Sequence, residues 1–96
     1  MSKQACVYMI SNSTNTVLYI GVTSNLIKRI WQHKNKQVEG FSSKYNLSKL
    51  VWFELYNEMY LAIQREKQLK NWQRKCKDEL IEKINPEWKD LYNSII

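Results

Sequence analysis

Two stretches near the N-terminus are almost wholly apolar, "ACVYMIS" (residues 5–11) and "VLYIGV" (17–22), and the polar run "NSTNT" divides them. This is the pattern of a β-hairpin. Thr23 or Ser24 can then cap a helix from about Asn25 to Asn35, with Leu26, Ile27, Ile30 and Trp31 as its apolar stripe. "KQVEGFSSKYNLS" (36–48) predicts a polar loop around Gly40, and "KLVWFELY" (49–56) a third strand. Asn57 can cap a long helix from Glu58 to about Arg74. A shorter helix, "KDELIEKI" (about 77–84), ends at Asn85-Pro86, because the residue before proline avoids helical geometry. "EWKDLYNSII" predicts a packed tail, since Trp88, Leu91 and Tyr92 need cover. The order ββαβααα predicts one α+β domain over residues 1–96, a three-stranded antiparallel sheet flanked by helices.

Alternation along the hairpin assigns faces. With a four-residue loop, Asn12–Asn15, Ser11 pairs with Thr16 and Tyr8 lies directly opposite Tyr19. Ala5, Val7, Met9, Leu18, Ile20 and Val22 share one apolar face, which belongs on the core. The other face carries Cys6, Tyr8, Ile10, Val17, Tyr19 and Gly21. Two phenols beside a bare glycine leave room for a ligand or a backbone to approach. A cross-strand aromatic pair is equally an ordinary sheet stabiliser, worth about 0.2–1 kcal/mol.

The helical periods place three charged or titratable side chains. Arg29 and His33 are four residues apart and point the same way, at the rim of the Leu26–Ile30 stripe. The arginine can grip a phosphate with two parallel hydrogen bonds, and the histidine can shuttle a proton near neutral pH; a solvated basic face is the plain alternative. Glu66 falls on the stripe of Met59, Ala62, Ile63 and Leu69, where an aliphatic residue is expected. A buried carboxylate requires a partner: an arginine such as Arg29, a pair of hydroxyls, or a hard divalent cation.

Composition sharpens this picture. With 44% hydrophobic residues, four Trp and six Tyr, the 96-residue chain can build a modest core without staples. Cys6 and Cys76 fit neither a disulfide framework nor a zinc site, so two reduced thiols and a cytoplasmic location are expected. No stretch has the length and apolarity of a membrane span. The net charge of +6 is unevenly spread: residues 1–53 hold seven Lys or Arg against the single acid Glu39, whereas residues 54–96 hold eight of each sign. A basic first half suits a polyanionic partner, although basic residues also serve solubility.

Val7-Tyr8, the Tyr19-Ile20-Gly21 triplet, Arg29, His33 and the later helical Glu66 together resemble the GIY-YIG nuclease domain of homing endonucleases, some restriction enzymes and the excision-repair C-subunit. The resemblance runs from Ala5 to about Tyr92 and is nearest to small standalone bacterial members, which end in the style of "REKQLKNW" and "NPEWKDLY". It implies that Tyr8 and Tyr19 are the two motif tyrosines, Arg29 the arginine on the scissile phosphate, His33 the helix His or Tyr, and Glu66 the ligand of a single Mg²⁺, with Mn²⁺ as a substitute. The family's late asparagine corresponds to Asn85, with Asn71 as a rival. Two departures stand out. Cys6-Val7-Tyr8 replaces Gly-Ile-Tyr, and Val22 stands where the excision-repair subunit has a lysine that helps activate a tyrosine.

The expected activity is Mg²⁺-dependent hydrolysis of DNA phosphodiesters, leaving 5′-phosphate and 3′-hydroxyl ends, in repair or recombination. DNA contacts are expected at Gly21, Lys28, Lys34, Lys36, Lys44 and Lys49. Phosphate contacts read charge and not sequence, which predicts structure-selective or loosely selective cutting; a monomer or weak dimer is expected. The competing readings are a non-catalytic nucleic-acid-binding module with the same fold and a protein-interaction domain that uses the aromatic tail.

Overall fold

A computed structural model describes residues 4–96. Three strands, β1 (Ala5–Ser11), β2 (Leu18–Thr23) and β3 (Lys49–Tyr56), form one antiparallel sheet in the order β2-β1-β3. The helices are α1 (Leu26–Lys34), α2 (Phe41–Lys44), α3 (Met59–Lys70), α4 (Arg74–Ile84) and α5 (Tyr92–Ile95).

The near-continuous apolar run of β1 has a simple cause. It is the central strand, and all seven of its residues are buried. Val7, Met9, Ile20, Val51 and Trp52 pack with Ala62 and Leu69 of α3 and Ile81 of α4. Tyr8, Ile10 and Leu50 pack on the opposite face with Ile30 of α1, Leu47 and, from the tail, Leu91, Tyr92 and Ile95. The second face is therefore a core in its own right rather than an open ligand surface. A β-bulge makes the two layers fit: Met9 pairs with Trp52 but Ile10 with Leu50, so Val51 is the extra residue and lies in the same core as Trp52.

The hairpin is offset from the expected register. Tyr8 pairs with Gly21 and Ile10 with Tyr19, because the connection runs through six residues, 12–17, and not four. Asn12 accounts for the wider loop: its Oδ1 accepts from the Thr16 and Val17 amides at 2.9 and 3.1 Å. A shift of two residues preserves the faces, so Tyr8 and Tyr19 stay on one side.

Helix boundaries also move. Asn25, and neither Thr23 nor Ser24, caps α1 by accepting from the Lys28 amide at 3.1 Å, while the Thr23 hydroxyl accepts from the Asn25 amide at 3.0 Å. Glu58, not Asn57, is the N-cap residue of α3, without a side-chain capping bond. α3 stops at Lys70 with Asn71 as its C-cap, and α4 starts at Arg74. The expected loop 36–48 contains the single turn of α2, entered through Gly40 at φ 104°, a conformation that favours glycine.

The tail packs as expected and also guards an edge. The Leu91 amide donates to the Leu50 carbonyl at 2.8 Å, and Asp90 Oδ1 accepts from the Leu50 amide at 3.2 Å. Asn85 is buried, and its side chain donates to the Val51 and Lys89 carbonyls and accepts from the Lys89 amide. An exposed strand edge invites pairing with other chains, and here it is covered. Trp88 is likewise buried, which removes the main support for a protein-interaction role of the tail.

Candidate active site

The register explains Gly21. A Cβ at that position would meet Tyr8 Cζ and Oη at 2.4 Å. The space left by the missing side chain is occupied by the Tyr8 ring, so Gly21 shapes the site and offers no surface to DNA. Tyr8 leans across it, 2% exposed, with Tyr19 diagonal to it at a ring-centroid distance of 6.4 Å.

The helix that follows carries His33 to the same place. Its Nε2 lies 2.9 Å from Tyr8 Oη, and its Nδ1 lies 2.9 Å from Ser42 Oγ of α2. Both ring nitrogens are thus engaged and neither is free for a metal. Burial, reinforced by the Arg29 guanidinium, lowers the His33 pKa to about 4, so the imidazole is neutral at pH 7. It is a buried, oriented histidine and not part of a solvated basic face.

Activation of Tyr8 by surrounding positive charge is not what the free protein provides. Burial raises the Tyr8 pKa well above that of an ordinary phenol; Tyr19 adds to the rise, Arg29 opposes it, and Glu66 and Cys6 add smaller contributions. Tyr8 therefore holds its proton in the free protein.

Glu66 lies between buried Ala62 and Leu69 on α3, and its side chain is only 16% exposed. Its ionic partner is Lys70, at 3.6 Å, too long for a hydrogen bond, rather than Arg29. Lys70 Nζ also stands 6.0 Å from the Tyr19 ring centroid. No group of three His, Cys, Asp or Glu able to enclose a metal ion exists among the described residues. A single, loosely paired carboxylate still suits Mg²⁺, which commonly keeps several waters and takes one carboxylate plus substrate phosphate oxygens.

Arg29 forms no ion pair among the described residues and, with Lys28, Asn25 and Gln32, lines a polar cleft of about 220 Å³ beside the cluster. The other expected DNA contacts are dispersed. Lys34 is committed to Asp90 and to the Ser48 carbonyl, tying α1 to the tail. Lys36 is exposed after α1, Lys44 stands over Tyr45 at 5.5 Å, and Lys49 begins β3 at the other end of the sheet from Tyr56. Asn85 belongs to the tail clamp, and Asn71 is an exposed helix end. Ser42 and Lys70 were not legible as site residues. Lys70 had one signal, its position four residues after Glu66, whereas nothing in the sequence marked Ser42.

With this geometry in view, comparison with known proteins gives a consistent answer. The GIY-YIG catalytic domain family matches residues 4–85, and the chain belongs to that family, whose members are generally endonucleases acting on DNA. The solution structure of the UPF0213 protein BH0048 from Bacillus halodurans shares its fold, with a TM-score of 0.57 at 18% identity over 91% of this chain and 92% of that one. No match is found among curated proteins. No helix among the described residues is long and apolar enough to cross a membrane.

Proposed function

We propose that this protein is a Mg²⁺-dependent endonuclease that hydrolyses DNA phosphodiesters with structural rather than sequence selectivity, in repair or recombination. The observation that carries the proposal is the buried chain of hydrogen bonds Tyr8–His33–Ser42 beside Tyr19, with the largely buried Glu66 carboxylate paired to Lys70, whose ammonium stands over the Tyr19 ring. Family membership supplies the reaction class.

The DNA backbone lies along the cleft of Lys28 and Arg29, and Arg29 binds the scissile phosphate. Glu66 would hold Mg²⁺, which would supply Lewis-acid chemistry at the phosphate. Tyr8 Oη orients the attacking water. As the water oxygen bonds to phosphorus, Tyr8 accepts its proton and passes its own to His33 Nε2, while the P–O3′ bond breaks and the 3′-oxygen takes a proton from solvent to leave as the 3′-hydroxyl; His33 then releases its proton to solvent. In this tautomer His33 Nδ1–H donates to Ser42 Oγ, which frees Nε2 to accept. Burial is the main cause of the low His33 pKa and Arg29 the lesser; a phosphate bound to Arg29 offsets that lesser part and so favours proton uptake by the imidazole. His33 thereby serves where the excision-repair C-subunit has a lysine in place of Val22.

Glu66→Gln tests the assignment on nicked, flap, four-way and linear DNAs. Loss of Mg²⁺-dependent cleavage by at least a hundredfold, with DNA affinity in EDTA retained, is expected. Full activity in the variant discards Glu66 as the metal ligand. Cleavage of no substrate by the wild-type protein, with affinity intact, favours the non-catalytic DNA-binding alternative.

A further inference from the structure

Beyond Tyr19 the aromatic surface continues outward. Tyr19 stacks on Phe41 with ring centroids 6.3 Å apart and planes 29° from parallel, and Phe41 meets Tyr45 at 4.7 Å. Phe41 and Tyr45 are 47% and 41% exposed. A lysine attends each end, Lys70 over Tyr19 and Lys44 over Tyr45. The row is also held in place: Ser42, the neighbour of Phe41, is bonded to His33, which is bonded to Tyr8. One hydrogen-bond chain thus sets the distance between the exposed rings and the proposed reaction centre.

We propose that Tyr19, Phe41 and Tyr45 form a shelf on which one unpaired DNA base stacks beside the phosphate to be cut. This rests on the DNA-cleavage reading above and adds the feature that makes a structure a substrate. Bases in an intact duplex have their faces covered by neighbours and cannot use such a shelf, whereas an unpaired base can stack on aromatic rings whatever its identity. The flanking ammonium groups suit the phosphates on either side of that base, and the net charge of +6 favours a polyanion over an apolar peptide as the occupant.

The shelf is tested by fluorescence anisotropy in EDTA, which needs no cleavage. The ligands are a fully paired duplex, a duplex carrying one unpaired thymine, and the same duplex with an abasic site in place of that thymine. For the wild-type protein the abasic replacement should weaken binding roughly five- to hundredfold. In Phe41→Leu/Tyr45→Leu, which keeps apolar bulk, the same replacement should change affinity less than twofold, and Phe41→Trp should restore the effect. An abasic effect of equal size in wild type and double variant, or none in wild type while duplex binding persists, overturns the shelf alone. Binding to none of the three DNAs overturns the shelf and the DNA reading together. Because both rings are exposed, unchanged thermal unfolding of the variants is expected, and Phe41→Trp keeps the comparison decisive if the double variant unfolds.

Discussion

The contact between Gly21 and Tyr8 gives the sharpest quantitative expectation. In Gly21→Ala the new methyl would sit 2.4 Å from Tyr8 Cζ and Oη and 2.8 Å from Cε1, so the ring must retreat by about 1 Å or more to reach ordinary contact distance. It cannot swing freely, because it is buried and its hydroxyl is bonded to His33. Overpacking of this kind costs about 1–3 kcal/mol, and losing the Tyr8–His33 bond adds about 1 kcal/mol. A total of about 2–4 kcal/mol lowers the melting temperature by roughly 10–25 °C in a domain of this size. Urea unfolding followed by tryptophan fluorescence measures the loss directly. Tyr8→Ala supplies the control, since removing the ring opens the space. In that background Gly21→Ala should be neutral or stabilising by up to about 1 kcal/mol, because alanine is less costly to order in a strand than glycine. A cost below about 0.5 kcal/mol in the native background, or an equal cost in both, would refute the reasoning.

Two further outcomes follow from the buried polar groups. His33, the chain's single histidine, has its pKa depressed to about 4 in the folded state against about 6.5 unfolded, so the unfolded chain binds the extra proton first. Stability should therefore fall between about pH 6.5 and pH 4 by on the order of 2–3 kcal/mol, and His33→Phe should flatten that window in pH-dependent urea unfolding. NMR of the imidazole nitrogens should find it neutral at pH 6. Asn85→Ala leaves the buried Val51 carbonyl and groups of the tail turn without partners, which should cost about 1–3 kcal/mol in the same assay and loosen amide-exchange protection along β3.

The strands and the sheet faces were legible because they follow from a period of two residues, and the pairing of Arg29 with His33 on one helix face and the place of Glu66 on an apolar stripe because they follow from a period of 3.6; only the family resemblance joined Glu66 to the other two. A carboxylate on an apolar stripe was the strongest single clue. What was hidden depended on distances that no period encodes. The Tyr8–Gly21 register turned on whether four or six residues formed the loop, and the Asn12 side chain decided it. Ser42 acquired its importance only when a single helical turn inside an apparent loop folded under His33. The lysines misled for the same reason. Lys34 looks in sequence like Lys28, but it meets Asp90, far along the chain. The Tyr8 phenol is held neutral chiefly by its own burial, a property of two-sided packing that alternation on one strand could not reveal.

Residues 85–91 have a consequence for how the protein is made. The sheet's outer flank at Leu50 and Val51 is bonded, among the described residues, to groups from Asn85, Asp90 and Leu91. A sheet assembled before those residues dock carries a bare, adhesive border, so partly folded chains that have not yet closed this clasp are the ones most at risk of sticking to each other.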